Sequence, residues 1–157
     1  MLLFLDFDGV LHPDAAYLER GRPTLRGPGH LFMWTGILEQ LLAPYSMLDI
    51  VLSTSWVRWR SYSRTCKALP DSLRSRIVGA TWHSRMDPRE WAELTRYQEI
   101  RRYLRHQRDA RWLALDDDDE GWPEAERDHL ICTDADRGLS DLETQRRLKD
   151  ALAAAFQ

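Results

Sequence analysis

The chain has 157 residues, 43% hydrophobic and 30% charged, with a formal net charge of -3. That is the size of one globular domain, and the balance offers no overall positive footprint for nucleic acid or an anionic membrane. No apolar stretch is long enough to span a bilayer, and Cys66 and Cys132 are too few and too far apart for a disulfide framework or a zinc knuckle, which points to a reduced, cytoplasmic protein with no disulfide partner.

The run Leu2-Leu3-Phe4-Leu5-Asp6-Phe7-Asp8-Gly9-Val10-Leu11 opens the chain. No basic region precedes its short apolar stretch, so residues 2–7 read as a strand and not as a signal peptide. Residues 13–29 are rich in proline and glycine and are expected to form an irregular flap over that strand. A helix is expected over 36–43, with Ile37, Leu38, Leu41 and Leu42 on one face and Pro44 as its stop. Further strands are expected at 48–53, 77–81, 112–115 and 129–133. They are near-continuous in apolar residues, as strands covered on both faces of a parallel sheet are. A second helix is expected over 56–68, ending near Pro70, and Asp87-Pro88 marks the start of one helix or two up to His106. The last helix is expected to start at Ser140, with Glu143 completing a capping box. Strands alternating with helices predict one doubly wound α/β domain over 1–157.

In open α/β sheets, ligands bind beyond the carboxyl ends of the strands. Three strands end there in polar residues: Asp6 and Asp8, then Ser53-Thr54-Ser55-Trp56, then the acidic run Asp116-Asp117-Asp118-Asp119-Glu120. Alternate residues of a strand share a face, so Asp6 and Asp8 converge on one small volume, where two carboxylates repel unless a cation lies between them. Asp and Gly also favour plain turns. What separates the two readings is whether the chain supplies the other parts of a site. Hard oxygen ligands in this number select magnesium or calcium, and magnesium typically bridges carboxylates to a substrate phosphate.

These residues resemble the motifs of the haloacid dehalogenase-like (HAD) superfamily. Asp6-Phe7-Asp8-Gly9-Val10-Leu11 matches its first motif in full, Ile50-Val51-Leu52-Ser53 its second, and Leu113-Ala114-Leu115-Asp116-Asp117 its fourth. The third motif is normally a lysine near the start of the helix before the last of these strands. Arg96 is the nearest replacement, bulkier and forked where lysine is a point charge. Ser53-Thr54-Ser55-Trp56 and Asp136-Arg137-Gly138-Leu139-Ser140 are similar to small capless HAD domains predicted in bacterial RNA-repair proteins.

The resemblance implies a three-layer Rossmann-like HAD fold: a central parallel five-stranded sheet, helices on both faces and no large cap. It implies a magnesium-dependent phosphatase in which Asp6 is the nucleophile and Asp8 the acid and base. Magnesium would be held by Asp6, the Asp8 carbonyl, and Asp117 or else Asp116. Ser53, with the backbone amides of Thr54 and Gly9, would bind the phosphoryl oxygens, and Arg96 would neutralise charge. The expected partner is a phosphorylated substrate, either a small molecule or a nucleic-acid end.

Other readings accompany these. Ser53 would serve merely as a helix cap, and Arg96 as one more solvated arginine on a basic helix. Asp118, Asp119 and Glu120 read as a solvated loop. Trp56 and Trp59, interleaved with Arg58, Arg60 and Arg64, suit base stacking, but their helical spacing favours the core. Two rival functions are a nucleotide phosphotransferase and a catalytically silent domain that binds a metal and a partner.

Overall fold

The computed structural model describes residues 1–107 and 110–156. In chain order it runs β1 (Leu2–Leu5), β2 (Ala16–Glu19), β3 (Arg22–Leu25), α1 (Thr35–Leu42), β4 (Asp49–Leu52), α2 (Trp56–Arg60), α3 (Tyr62–Cys66) and α4 (Asp71–Arg74). It continues through β5 (Ile77–Ala80), α5 (Pro88–Ala92), α6 (Arg96–Leu104), β6 (Trp112–Asp116), β7 (Leu130–Cys132) and α7 (Leu142–Ala155). Short 3-10 turns precede β7 and α7.

The five expected strands form one parallel sheet in the order β5-β4-β1-β6-β7. The chain first adds strands on one side of β1, then crosses to build the other side. β1 is therefore the switch point, where a crevice opens beyond the strand ends. Because side chains alternate, β1, β4, β6 and β7 each feed two cores. Leu3, Leu5, Leu52, Leu113 and Leu115 join one cluster with Leu38 and Leu42 of α1 and Leu148 and Leu152 of α7. Leu2, Phe4, Val51, Trp112 and Ala114 join the other, closed by Ile100 and Leu104 of α6.

Three local expectations are corrected. Residues 16–25 form an antiparallel hairpin, not an irregular flap. Its turn is Arg20-Gly21, both with positive φ (50° and 78°), the backbone of a two-residue hairpin turn. Pro23 fits because a two-stranded ribbon leaves it an edge. The helix expected over 56–68 breaks at Ser61, whose φ of 82° no α-helix accommodates. The last helix starts at Leu142 and not at Ser140, since Asp141 caps it by accepting from Thr144 N at 3.1 Å. Ser140 belongs instead to the preceding 3-10 turn, where its hydroxyl donates to the Arg137 carbonyl. Between residues 88 and 106 there are two helices, the first capped by Asp87 as expected.

Among the described residues, no helix is long and apolar enough to cross a membrane.

Candidate active site

The register that pairs Leu5 with both Leu52 and Leu115 brings the ends of β1, β4 and β6 level. Backbone bonds carry the alignment one residue further: Asp6 N donates to Leu115 O at 3.1 Å and Ser53 N to Leu5 O at 2.9 Å. Parity then decides which side each residue takes. Asp6 continues the series Leu2, Phe4; Asp116 continues Trp112, Ala114; Ser53 follows Val51. All three share the α6 side of the sheet. Phe7 falls on the opposite side, fully buried, with its ring 5.2 Å from Phe32 and 5.7 Å from Trp56.

Arg96 reaches this edge from the first turn of α6. Thr95 fixes that turn with a full capping box: its hydroxyl accepts from Gln98 N at 3.3 Å, while the Gln98 amide accepts from Thr95 N at 3.0 Å. A cation at a helix N-terminus opposes the helix dipole, so the arginine needs anions ahead of it. Its Nη1 donates to Glu99 at 2.8 Å. Its Nε lies 3.0 Å from Asp116 Oδ2, off the line of the N–H, so this contact is an ion pair without a directed hydrogen bond. Nη2 stands 3.8 Å from Asp6 Oδ1. The fork thus serves three carboxylates at once, which a point-charge ammonium does not do.

The acidic group extends beyond Arg96. One carboxylate oxygen from each of Asp6, Asp116 and Asp117 lies within 4.8 Å of the others. Burial pushes the Asp6 carboxyl well above the usual carboxylate range; Asp116 adds to the rise and Arg96 opposes it. Burial, offset in part by Arg96, takes Asp116 up to about 7, and burial together with Asp14 takes Asp117 up to about 6. Burial also raises Glu99, against the pull of Arg96. For Arg96, burial disfavours the charge, but Asp6, Asp116 and Glu99 outweigh it and keep the guanidinium protonated. One cation among this many carboxylates leaves a local excess of negative charge.

A group of this kind could hold a cation. The donors are all hard oxygens, and Asp6 Oδ1 is buried with no hydrogen bond among the described residues. They suit a magnesium ion, which takes one or two carboxylates and keeps its remaining positions for water and phosphate. Gly9 belongs to the same design. Its φ is 67°, and a Cβ there would collide with the Asp117 carboxylate, so the missing side chain is what lets Asp117 lie over the end of β1. Of the alternatives Asp116 and Asp117, the first is engaged by Arg96 and by Asp118 N at 3.1 Å, while the second faces Gly9.

Ser53 and Thr54 are buried at the end of β4. Thr54 Oγ1 accepts a long bond from Trp56 N at 3.4 Å. Ser53 Oγ has no hydrogen-bond partner among the described residues, so helix capping does not account for it. Asp118, Asp119 and Glu120 are exposed as expected, and Asp119 pairs with Arg127 at 3.0 Å.

Asp8 takes its place through residues that the motif reading did not assign. Its Oδ2 accepts from Trp56 Nε1 at 2.9 Å and its Oδ1 lies 3.0 Å from His12 Nε2. Trp56 is therefore core, as its spacing suggests, but with its polar edge at the site. Glu99 was also missed. The available signal was its place one turn after Arg96, at the i,i+3 spacing of a helical ion pair.

A parallel sheet with an Asp-x-Asp pair at the end of its central strand, faced by a second strand ending in serine and a third ending in paired aspartates, is the α/β architecture of a HAD domain. Residues 2–144 match the family described as "HAD domain in Swiss Army Knife RNA repair proteins", and the chain belongs to that family. No curated protein and no solved structure matched the chain.

Proposed function

We propose that the chain is a magnesium-dependent phosphatase that hydrolyses phosphomonoesters through a phosphorylated Asp6. The observation that carries this reading is the buried Asp6 carboxylate at the end of the central strand, grouped with Asp116 and Asp117 and within ion-pair range of Arg96. An unpaired buried carboxylate would be costly. A guanidinium at one side and a cation bound at the other would together hold it ionised as a nucleophile.

In this reading the Asp6 carboxylate attacks phosphorus, the bond to the ester oxygen breaks, and Asp8 gives that oxygen a proton. Asp8 then takes a proton from a water whose oxygen attacks the phosphorylated Asp6, releasing inorganic phosphate and restoring the carboxylate. Ser53 Oγ and the amides of Thr54 and Gly9 supply donors to the phosphoryl oxygens. Arg96 neutralises charge on Asp6 and on the transferring group, helped from behind by Glu99. Magnesium, held by Asp6, the Asp8 carbonyl and Asp117 or Asp116, would supply electrostatic stabilisation of the phosphoryl oxygens.

A terminal phosphate on a polynucleotide is the preferred substrate class. The family description names RNA repair proteins. The insert after β1 is only a two-stranded hairpin, so large substrates are not shut out. A depression of about 280 Å³ beside Arg96 includes Thr54, Arg58 and Trp82. It shares Arg58 and Trp82 with a groove of about 890 Å³ that continues past Tyr62 and Tyr103. A groove that offers a cation and aromatic faces suits the chain behind a terminal phosphate.

The test is phosphate release, with magnesium, from a 3′-phosphorylated oligonucleotide, from mononucleotides and from an aryl phosphate, with Asp6→Asn as control. The expected order puts the oligonucleotide first and Asp6→Asn at background. Preference for mononucleotides would move the reading to a nucleotidase or phosphotransferase. Activity that survives Asp6→Asn would overturn the phosphorylated Asp6, and no activity on any ester would overturn the enzyme reading in favour of a silent binding domain.

A further inference from the structure

The proposed reaction asks Asp8 to do two jobs at two different oxygens, so the orientation of its carboxylate matters more than its presence. Gly9, at φ 67°, sits in a tight turn in which Val10 N and Leu11 N both donate to Phe7 O, at 3.2 and 2.9 Å. The turn ends in an isolated β-bridge between Asp8 and His12, which brings the His12 ring against the Asp8 carboxyl group. His12 is fully buried, an unusual place for a histidine without a task.

The ring of His12 has both nitrogens engaged. Phe32 N donates to Nδ1 at 3.2 Å, so Nδ1 carries no proton and the ring proton sits on Nε2, 3.0 Å from Asp8 Oδ1. The other oxygen, Oδ2, accepts from Trp56 Nε1 at 2.9 Å. Phe32 adopts a φ of 62°, a conformation costly for a bulky residue, and strain of this kind persists where the surroundings demand it. Here it accompanies the N–H that sets the His12 tautomer. The four rings form one cluster, with Phe32 5.0 Å from His12 and 5.1 Å from Trp56, and Phe7 5.7 Å from Trp56. Neither donor is free to swing away.

We propose that His12 and Trp56 are positioning residues that clamp the Asp8 carboxyl group by one N–H on each oxygen, so that the proton carried at the remaining lone-pair position of one oxygen faces the leaving group. This rests on the role given to Asp8 in the proposed reaction. The clamp matters most where a proton must be delivered. An alkoxide is a poor leaving group and needs the proton; a nitrophenolate leaves without it.

The experiment compares kcat/KM, which reports only the steps through phosphorylation of the enzyme, for ethyl phosphate and p-nitrophenyl phosphate. Trp56→Phe keeps an aromatic ring among Phe7, Phe32 and His12 and removes one donor. Its kcat/KM on ethyl phosphate is expected to fall on the order of tenfold to a hundredfold, part of what a positioned general acid supplies, while p-nitrophenyl phosphate changes by less than about threefold. His12→Met is expected to do the same, and His12→Gln to recover much of the loss, since an amide both accepts from Phe32 N and donates to Asp8. Equal losses on both esters, or no loss on either, would overturn the proposal. A readout independent of activity is the indole N–H resonance of Trp56, identified by its disappearance in Trp56→Phe. It is expected to shift in Asp8→Ala, and an unmoved resonance would overturn the clamp. If the wild-type protein hydrolyses no ester, the phosphatase reading falls, and the indole resonance alone decides whether the clamp exists.

Discussion

Replacing Arg96 by methionine keeps an unbranched apolar stem and removes the guanidinium that pairs with Asp6, Asp116 and Glu99. Those carboxylates are 5%, 1% and 6% exposed, so water does not take over from the guanidinium. Removing one partner of a buried ion pair typically costs ~3–5 kcal/mol. For a chain of this size, each kcal/mol moves the melting temperature by roughly 2–4 °C, so a drop of about 10 °C is expected. The cost depends on pH. Without Arg96 the carboxylates take up protons more readily, and protonation relieves the uncompensated charge. The deficit should therefore be small at pH 5 and grow toward pH 8, above the value of about 7 to which Asp116 is pushed. Adding Glu99→Gln to Arg96→Met should recover part of the loss, because the two side chains share a bond of 2.8 Å. Arg96→Lys should fall between the wild type and Arg96→Met, since one ammonium does not span all three carboxylates. Thermal melts followed by circular dichroism in chelator, at pH 5 and pH 8, measure these differences. A loss below about 1 kcal/mol at pH 8, well short of the buried-pair range, would refute the reasoning. So would a deficit independent of pH.

Magnesium is expected to raise the melting temperature more at pH 7.5 than at pH 5.5, because Asp116 at about 7 and Asp117 at about 6 hold protons that compete with the ion. Coincident melts with magnesium and with chelator at pH 7.5 would count against the cation site. In the metal-free protein, raised folded-state values mean that the native state binds more protons than the unfolded chain. The contribution of these two groups is thus fully present below about pH 4 and is lost as pH rises through about 6 to 7, which a pH series of melts in chelator will show. Gly9→Ala is expected to cost ~1–2 kcal/mol for its backbone conformation alone. It should also reduce the magnesium-induced shift, because the new methyl displaces Asp117. Ser53→Ala should leave the melting temperature within about 2 °C, since its hydroxyl has no partner to lose, yet raise KM for a phosphate ester. A large loss of stability would show that Ser53 is structural instead.

Much of the frame was legible because it rests on strong local patterns. Apolar runs bounded by polar ends located all five strands of the sheet, and a period of two explains why Asp6, Ser53 and Asp116 share a side. The first motif alone marked Asp6 and Asp8. What escaped was set by backbone conformation or by contacts across the chain. Arg20-Gly21 builds a hairpin turn without an Asn-Gly or Asp-Gly signature, and Ser61 breaks a helix with a positive φ that its residue type does not announce. Asp141 outcompetes Ser140 as a cap although either residue type suits the position. The pairing of Trp56 with Asp8 spans 48 positions, and that of Phe32 N with His12 spans 20, so no local pattern carries them. The i,i+3 spacing of Arg96 and Glu99 is readable in the sequence, but that both are buried at the site emerges only from the fold.

The central claim is that Asp6 carries the phosphoryl group. Rapid acid quench of the protein with a phosphate ester and magnesium, followed by peptide mass spectrometry, tests it directly. The account predicts one phosphoryl group on the peptide that contains Asp6, labile to hydroxylamine, absent in Asp6→Asn and accumulating in a variant of Asp8 that cannot activate water. Hydrolysis that proceeds with Asp6 unmodified under all of these conditions would contradict it.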